Sequence, residues 1–232
     1  MILNFALIGN SIGMNRTIVQ SLEGITLVGG GPVSRADMVL AMRLAPVVVG
    51  VDGGADRCLR HGVMPAAVIG DFDSMSDRAR GAIAADRLHV IAEQETTDFD
   101  KALRSVVAPF VLALGFAGAR MDHGLAVLNT LVRKAAPCVV IGPRDVVFHA
   151  GLGCRLAMRV GARLSLWPMG AVRGQSRGLE WPIGGLDFAP DGRIGTSNRV
   201  TAAEVELSFD GPGMLVIVPK RYLAGVIAAV RL

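Results

Sequence analysis

Aromatic residues are scarce, at 5% of the chain, and so is lysine, with only three among 24 basic residues. A surface that stacks nucleic-acid bases needs aromatics interleaved with a basic stripe. Here the arginines are scattered, so a nucleic-acid partner is not expected. Charged residues make up only 19% against 51% hydrophobic, which argues against intrinsic disorder. The net charge of +4 suits an anionic small substrate without requiring one. No apolar run reaches the ~18 residues of a membrane span, so no membrane partner is expected. Cys58, Cys138 and Cys154 are odd in number and far apart. They form neither a disulfide framework nor a zinc pattern and suit a reducing cytoplasm. Met1-Ile2-Leu3-Asn4-Phe5 lacks a basic leader, so no signal peptide is expected. There is no internal repeat and no low-complexity segment.

What the chain does have is alternation. Apolar runs at 24–28, 46–51, 66–69, 88–91, 110–114 and 138–141 read as buried strands. Between them lie segments that read as helices: 35–45, a turn or two up to His61, a short one after Ser76, 98–107, and one running to about 135. Ser34 and Thr97 read as N-caps. Strands alternating with helices argue for a parallel sheet with helices on its faces. After Gly142 glycine and proline become frequent. Short runs at 146–148, 163–167, 203–207 and 214–218, separated by turn signals, read as a small antiparallel β-sandwich. The domains expected are 1–142 and 143–232. Residues 1–23 read as a lead-in strand and loop, and 220–232 are open between a last strand and a short helix.

Chemistry concentrates at the strand ends. Gly70-Asp71-Phe72-Asp73-Ser74 follows the run Ala66-Ala67-Val68-Ile69 and places two carboxylates two residues apart. Asp52, Asp98 and Asp122 also lie just past predicted carboxyl ends, where open α/β sheets bind ligands. Carboxylates gathered in one crevice repel one another unless a cation is present. A hard ion such as Mg2+, bound together with nucleotide phosphates, resolves that conflict. The alternative for Asp-x-Asp alone is an acidic turn. Gly29-Gly30-Gly31 reads as a tight turn, with only a weak phosphate signal. Arg120 is open between phosphate contact and a surface arginine, Lys101 between substrate contact and pairing with a nearby acid. His123 is open between a base and a structural hydrogen bond. Trp181 is suited to stacking on a cationic ring or to a core, and Ser197 and Asn198 to a ligand contact or a turn.

Five motifs in order complete the reading: Asp52-Gly53-Gly54-Ala55, Gly70-Asp71-Phe72-Asp73-Ser74, Thr97-Asp98-Phe99-x-Lys101, Arg120-x-Asp122-His123 and Gly178-Leu179-x-Trp181, with Ser197-Asn198 late in the chain. Together they resemble the thiamine pyrophosphokinase family over roughly residues 24–218. The resemblance implies a Rossmann-like α/β nucleotide domain followed by a β-sandwich, in a homodimer whose sites span the subunit interface. It implies a cytoplasmic, ATP-dependent diphosphotransferase that uses Mg2+ and converts thiamine to thiamine diphosphate with release of AMP. By motif position Asp71, Asp73 and Asp98 resemble the metal and phosphate group, and Asp122 a further catalytic acid. Asp52, Gln94, Thr97, Lys101 and Arg120 fall with the substrate contacts. Trp181, Ser197 and Asn198 resemble the thiamine-facing group. Where the family pattern has asparagine and a glycine pair, this chain has Asp56 and Gly118-Ala119. A metal-dependent phosphohydrolase and a non-catalytic thiamine- or nucleotide-binding regulator are the competing readings.

Overall fold

The computed structural model describes residues 17–118 and 120–231; most of the predicted lead-in segment, 1–16, and Ala119 lie outside the described residues. In chain order the elements are β1 (Val19–Gln20), β2 (Ile25–Val28), α1 (Arg35–Leu44), β3 (Val47–Val51), α2 (Gly54–Arg60), β4 (Ala67–Gly70) and α3 (Asp77–Ala82). They continue with β5 (Leu88–Val90), α4 (Asp98–Arg104), β6 (Val106–Val107), β7 (Val111–Leu114), α5 (Met121–Lys134) and β8 (Cys138–Ile141). The later part holds β9 (Asp145–His149), β10 (Gly153–Ala157), β11 (Arg163–Pro168), β12 (Val172–Arg177), β13 (Asp187–Phe188), β14 (Gly195–Arg199), β15 (Glu204–Phe209), β16 (Met214–Pro219) and α6 (Leu223–Val230).

The main sheet runs β14-β11-β16-β9-β8-β7-β2-β3-β4-β5, and a smaller one runs β10-β15-β12-β13. From β8 to β5 every neighbour is parallel. The chain winds from β2 outward to β5, and α4 then carries it back to β7 on the other side of β2. That reversal is a switch point, where the loops leaving adjacent strands diverge and open a crevice.

Every residue of β2, β4, β7 and β8 is buried, because helices or the second sheet cover both faces. Alternate residues sort into two cores. Ile25, Leu27, Val49, Val51 and Ile69 pack against Phe99, Ala102 and Leu103 of α4 and Val127 and Leu131 of α5. Val28, Leu112, Leu114 and Ile141 face Met38 and Ala41 of α1. This second core continues without a break into the sandwich, through Phe148, Leu164 and Val216 to Leu156, Val205 and Leu207 of the smaller sheet, and it takes in Leu223, Val226 and Ile227 of α6.

The β-sandwich therefore shares its larger sheet with the α/β part. The change of texture at residue 143 falls in the turn between β8 and β9, which pair antiparallel through Val139–Phe148 and Ile141–Val146. Two elements differ from the sequence reading. The helix expected over 98–107 stops at Arg104: Ser105 Oγ donates back to the Lys101 carbonyl at 2.7 Å, and Val106–Val107 pair with Val19–Gln20. Residues 223–230, left open between strand and helix, are helical.

Candidate active site

Asp52 caps the end of β3 with φ 47°, a left-handed conformation that few non-glycine residues adopt. It is held there by backbone bonds on both sides: its N–H donates to the Ile69 carbonyl at 3.0 Å, and its carbonyl accepts from Ala55 N–H at 3.0 Å. Gly54 lets α2 start immediately, since a Cβ there would lie 1.7 Å from the Val28 carbonyl oxygen. Gly70 serves the neighbouring strand in the same way, as its Cβ would fall 2.9 Å from that of Asp52. Two acidic strand ends thus sit side by side because glycine removes what would separate them.

The loop after β4 is pinned from below. Phe72, with φ 66°, turns inward and packs with Met75, Ala55, Ala79 and Ile83. An inward Phe72 leaves its neighbours Asp71 and Asp73 toward the cleft. Ser74 Oγ donates to Asp73 Oδ1 at 2.9 Å and Ser74 N–H to Asp52 Oδ1 at 3.4 Å. Asp56, in the first turn of α2, accepts both the N–H and the hydroxyl of Ser76. One oxygen each from Asp52, Asp71 and Asp73 lies within 4.8 Å of the others, an all-carboxylate donor set that fits a hard divalent cation.

The third side is α4. Thr97 Oγ1 accepts from Asp100 N–H at 3.3 Å and caps the helix, which places Asp98 in its first turn. Lys101, one turn on, donates from Nζ to Asp98 Oδ1 at 3.0 Å and to Asp71 Oδ2 at 3.1 Å. Gln94 Nε2 also approaches Asp71 Oδ2, at 3.5 Å. Burial pushes the Asp52 carboxyl above its usual range. Burial acts on Asp71 in the same direction, but the Lys101 hydrogen bond and the Asp73 amide outweigh it and hold that carboxyl below the usual range. For Lys101, burial lowers and the two carboxylates raise, and the carboxylates win. Deeper still, Asp100 is buried and bridges to Arg133 and Lys134 of α5, both at 3.1 Å, locking the two helices together.

These elements enclose a cleft of about 720 Å³ at the switch point. The structure brings Asp52, Asp71, Asp73, Gln94, Thr97, Asp98, Lys101 and Arg120 together on its walls. Gly29, Gly30 and Gly31 form its floor, with the Gly29 and Gly31 amides already given to the Leu114 and Gly115 carbonyls. Asp122 stands at the start of α5 in a two-point pair with Arg120, at 3.2 and 2.5 Å. Those hydrogen bonds keep the Asp122 carboxyl low. His123 lines the cleft and gives its backbone N–H to Asp122 Oδ1. Arg57 and Arg60 of α2 also line it, and were missed. Their only sequence signal is a one-turn spacing on the helix that follows an acidic strand end.

Trp181, Ser197 and Asn198 gather elsewhere and are not among the residues that line the cleft. Asn198 is buried and clamps the tryptophan backbone, donating from Nδ2 to the Trp181 carbonyl at 2.7 Å and accepting from its N–H at 3.3 Å. Trp181 is 53% exposed, with the Arg199 guanidinium 5.8 Å from its ring centroid, so it is not a core residue. Ser197 adopts φ 62° with its N–H on Ser165 Oγ at 2.9 Å.

Residues 40–141 match the model of the thiamin pyrophosphokinase catalytic domain. Over 119 residues, 48% of the chain, the sequence is 34% identical to a thiamine pyrophosphokinase of Bacillus subtilis (strain 168), and this stretch spans 56% of that protein. Over 197 residues it is 25% identical to thiamine pyrophosphokinase 1 of Oryza sativa subsp. japonica, across 68% of this chain and 74% of the other. The solved structure of a thiamin pyrophosphokinase from Candida albicans shares the fold with a TM-score of 0.72 at 15% identity, over 90% of this chain and 94% of that one.

Proposed function

We propose that the chain is a thiamine pyrophosphokinase, a reading supported by the match of residues 40–141 to that family's catalytic domain, and that it transfers the pyrophosphoryl group of ATP to thiamine. The hydroxyethyl oxygen of thiamine attacks the β-phosphorus, the bond from that phosphorus to the α,β-bridging oxygen breaks, and AMP leaves. The observation that carries this reading is the convergence of Asp52, Asp71, Asp73 and Asp98 at the switch-point cleft.

Asp71, Asp73 and Asp98 are the assigned holders of Mg2+, with Asp52 beside them. When bound, the ion screens these carboxylates from the nucleotide phosphates and offsets charge that builds on the transferred group. Arg120, with its planar fork, is assigned to phosphate, and Gln94, Thr97 and Lys101 to the substrate side of the same wall. Phosphoryl-type transfer asks little of a base, because its transition state is loose. Asp122, which pairs with the cleft-lining Arg120, is assigned to take the hydroxyl proton.

Trp181, Ser197 and Asn198 are assigned to thiamine. A half-exposed indole outside the acidic cleft supports a site completed by a second copy, as does the apolar groove beside α5, where Met121 and Leu125 stand exposed. The reading is thus of a homodimer with shared sites. No helix among the described residues is long and apolar enough to cross a membrane. The three free thiols support a cytoplasmic setting.

The test is an end-point assay with ATP, Mg2+ and thiamine, its products separated by chromatography. Thiamine diphosphate with one equivalent of AMP is expected. ADP with thiamine monophosphate would keep the site but overturn attack at the β-phosphorus. Phosphate release without thiamine would favour a phosphohydrolase, and binding without turnover a regulator.

A further inference from the structure

Of the three lysines, Lys134 and Lys220 keep side-chain exposures of 29% and 20%, whereas that of Lys101 is 2%. A buried ammonium survives only where counter-charges and hydrogen bonds replace its water. Lys101 has both, since its Nζ lies between Asp71 Oδ2 and Asp98 Oδ1 at 3.1 and 3.0 Å. Side chains on a helix lean toward its N-terminus, so a lysine one turn after Asp98 reaches back to it.

Each acid gives this ammonium one oxygen and keeps the other. Asp71 Oδ2, which also accepts from Gln94, faces α4, while Asp71 Oδ1 accepts from Asp73 N–H at 3.4 Å and so turns toward the Asp52–Asp73 side. The carboxylate is thereby oriented by a partner behind it, as ligating carboxylates generally are. The gap between Asp71 and Asp98 is also where carboxylates would draw in another cation. Enzymes that work with paired metals hold them about 3.5–4 Å apart among such shared acids.

We propose that Lys101 is a positioning residue, a built-in cation that fixes the Asp71 and Asp98 carboxylates and takes the place of a second divalent ion between them. It keeps the nucleotide-free cleft to a single ion. This rests on reading the cleft as a metal–nucleotide site. Lys101 then acts through the two acids, in place of the direct substrate contact assigned to it above.

The probe is Mn2+ alone, counted by the paramagnetic resonance of the free ion during titration of nucleotide-free protein. Wild type and Lys101→Arg are expected to bind one Mn2+ per chain, and Lys101→Met two. Lys101→Met that is folded by circular dichroism and binds Mn2+ as wild type does would overturn the proposal. Wild type that binds no Mn2+, with or without ATP, would sink the metal–nucleotide reading and the proposal with it. Lys101→Met leaves two buried-side carboxylates unpaired, so a second measurement uses wild type only. Acetic anhydride labelling followed by mass spectrometry is expected to modify Lys134 and Lys220 and to spare Lys101, with Mg2+ or without it. Labelling of Lys101 in either condition means that the ammonium is not held, which rejects the role.

Discussion

At the residue scale, what matters is which side chains stay available. Asp73 is exposed at the cleft and bonded to Ser74, so its replacement disturbs ligation and little else. Asp73→Asn is expected to lower turnover by about a hundredfold or more while thermal unfolding stays within about 1 kcal/mol of wild type. Near-normal activity would reject Asp73 as a metal holder. Trp181 tests the other group. Its backbone is clamped by Asn198 and its ring is half-exposed beside the Arg199 guanidinium, so Trp181→Ala should raise the KM for thiamine and leave that for ATP unchanged. A selective loss for ATP would show that the ring has been assigned to the wrong substrate. Asp56, which stands where the resemblance expects asparagine, is tied to Ser76. Burial raises its carboxyl, but the two Ser76 hydrogen bonds bring it below the usual range.

At the element scale, the acids are aligned by close approach of backbones. Gly54→Ala puts a Cβ into the Val28 carbonyl. It should cost ~1–3 kcal/mol or more, since neither backbone can yield without moving β2 or β3. Gly81→Ala, in the last turn of α3 with nothing within 4 Å of its Cβ, is the control. It should stabilise by roughly 0.5–1 kcal/mol. Urea unfolding measures both, and equal effects would refute the packing argument.

His149 ends β9 and accepts from Gly213 N–H at 3.2 Å through Nε2, while burial depresses its basicity. The unfolded chain, with the ordinary value near 6.5, takes up this proton first as pH falls. The stability present above pH ~6.5 is therefore lost progressively toward the lower folded value. His149→Gln should flatten the fall in melting temperature between about pH 7 and about pH 5.5, and an unchanged slope would clear His149 of that role.

At the scale of the whole molecule, one sheet serves both halves. Because β8 and β9 pair directly, the α/β part and the sandwich share a core and should unfold together. The separation of Trp181 from the acidic cleft bears on assembly. Asp73→Asn and Trp181→Ala, each weak alone, should regain activity when mixed and refolded, because a mixed dimer rebuilds one site with a wild-type acid cleft and a wild-type tryptophan. No recovery from material shown to exchange subunits would place the complete site within one chain.

By itself the sequence determined the parallel strands, most of the helices and the acids at their ends, because doubly buried strands read as unbroken apolar runs and an acid after such a run lies at a carboxyl end. It was nearly silent on β10, β12 and β14. Their segments are short and glycine- or arginine-bearing, and the small sheet's outer face is held by Arg155 and Arg177 on either side of Glu206, a pairing visible only across strands. The tertiary structure alone decided three further points. The sandwich continues the main sheet, because strand pairing is nonlocal. Lys101 is bound to acids from two elements, 30 and three residues away. And Trp181 lies outside the lining of the acidic cleft, its backbone held by Asn198 from a strand 17 residues on, which no run of residues spells out.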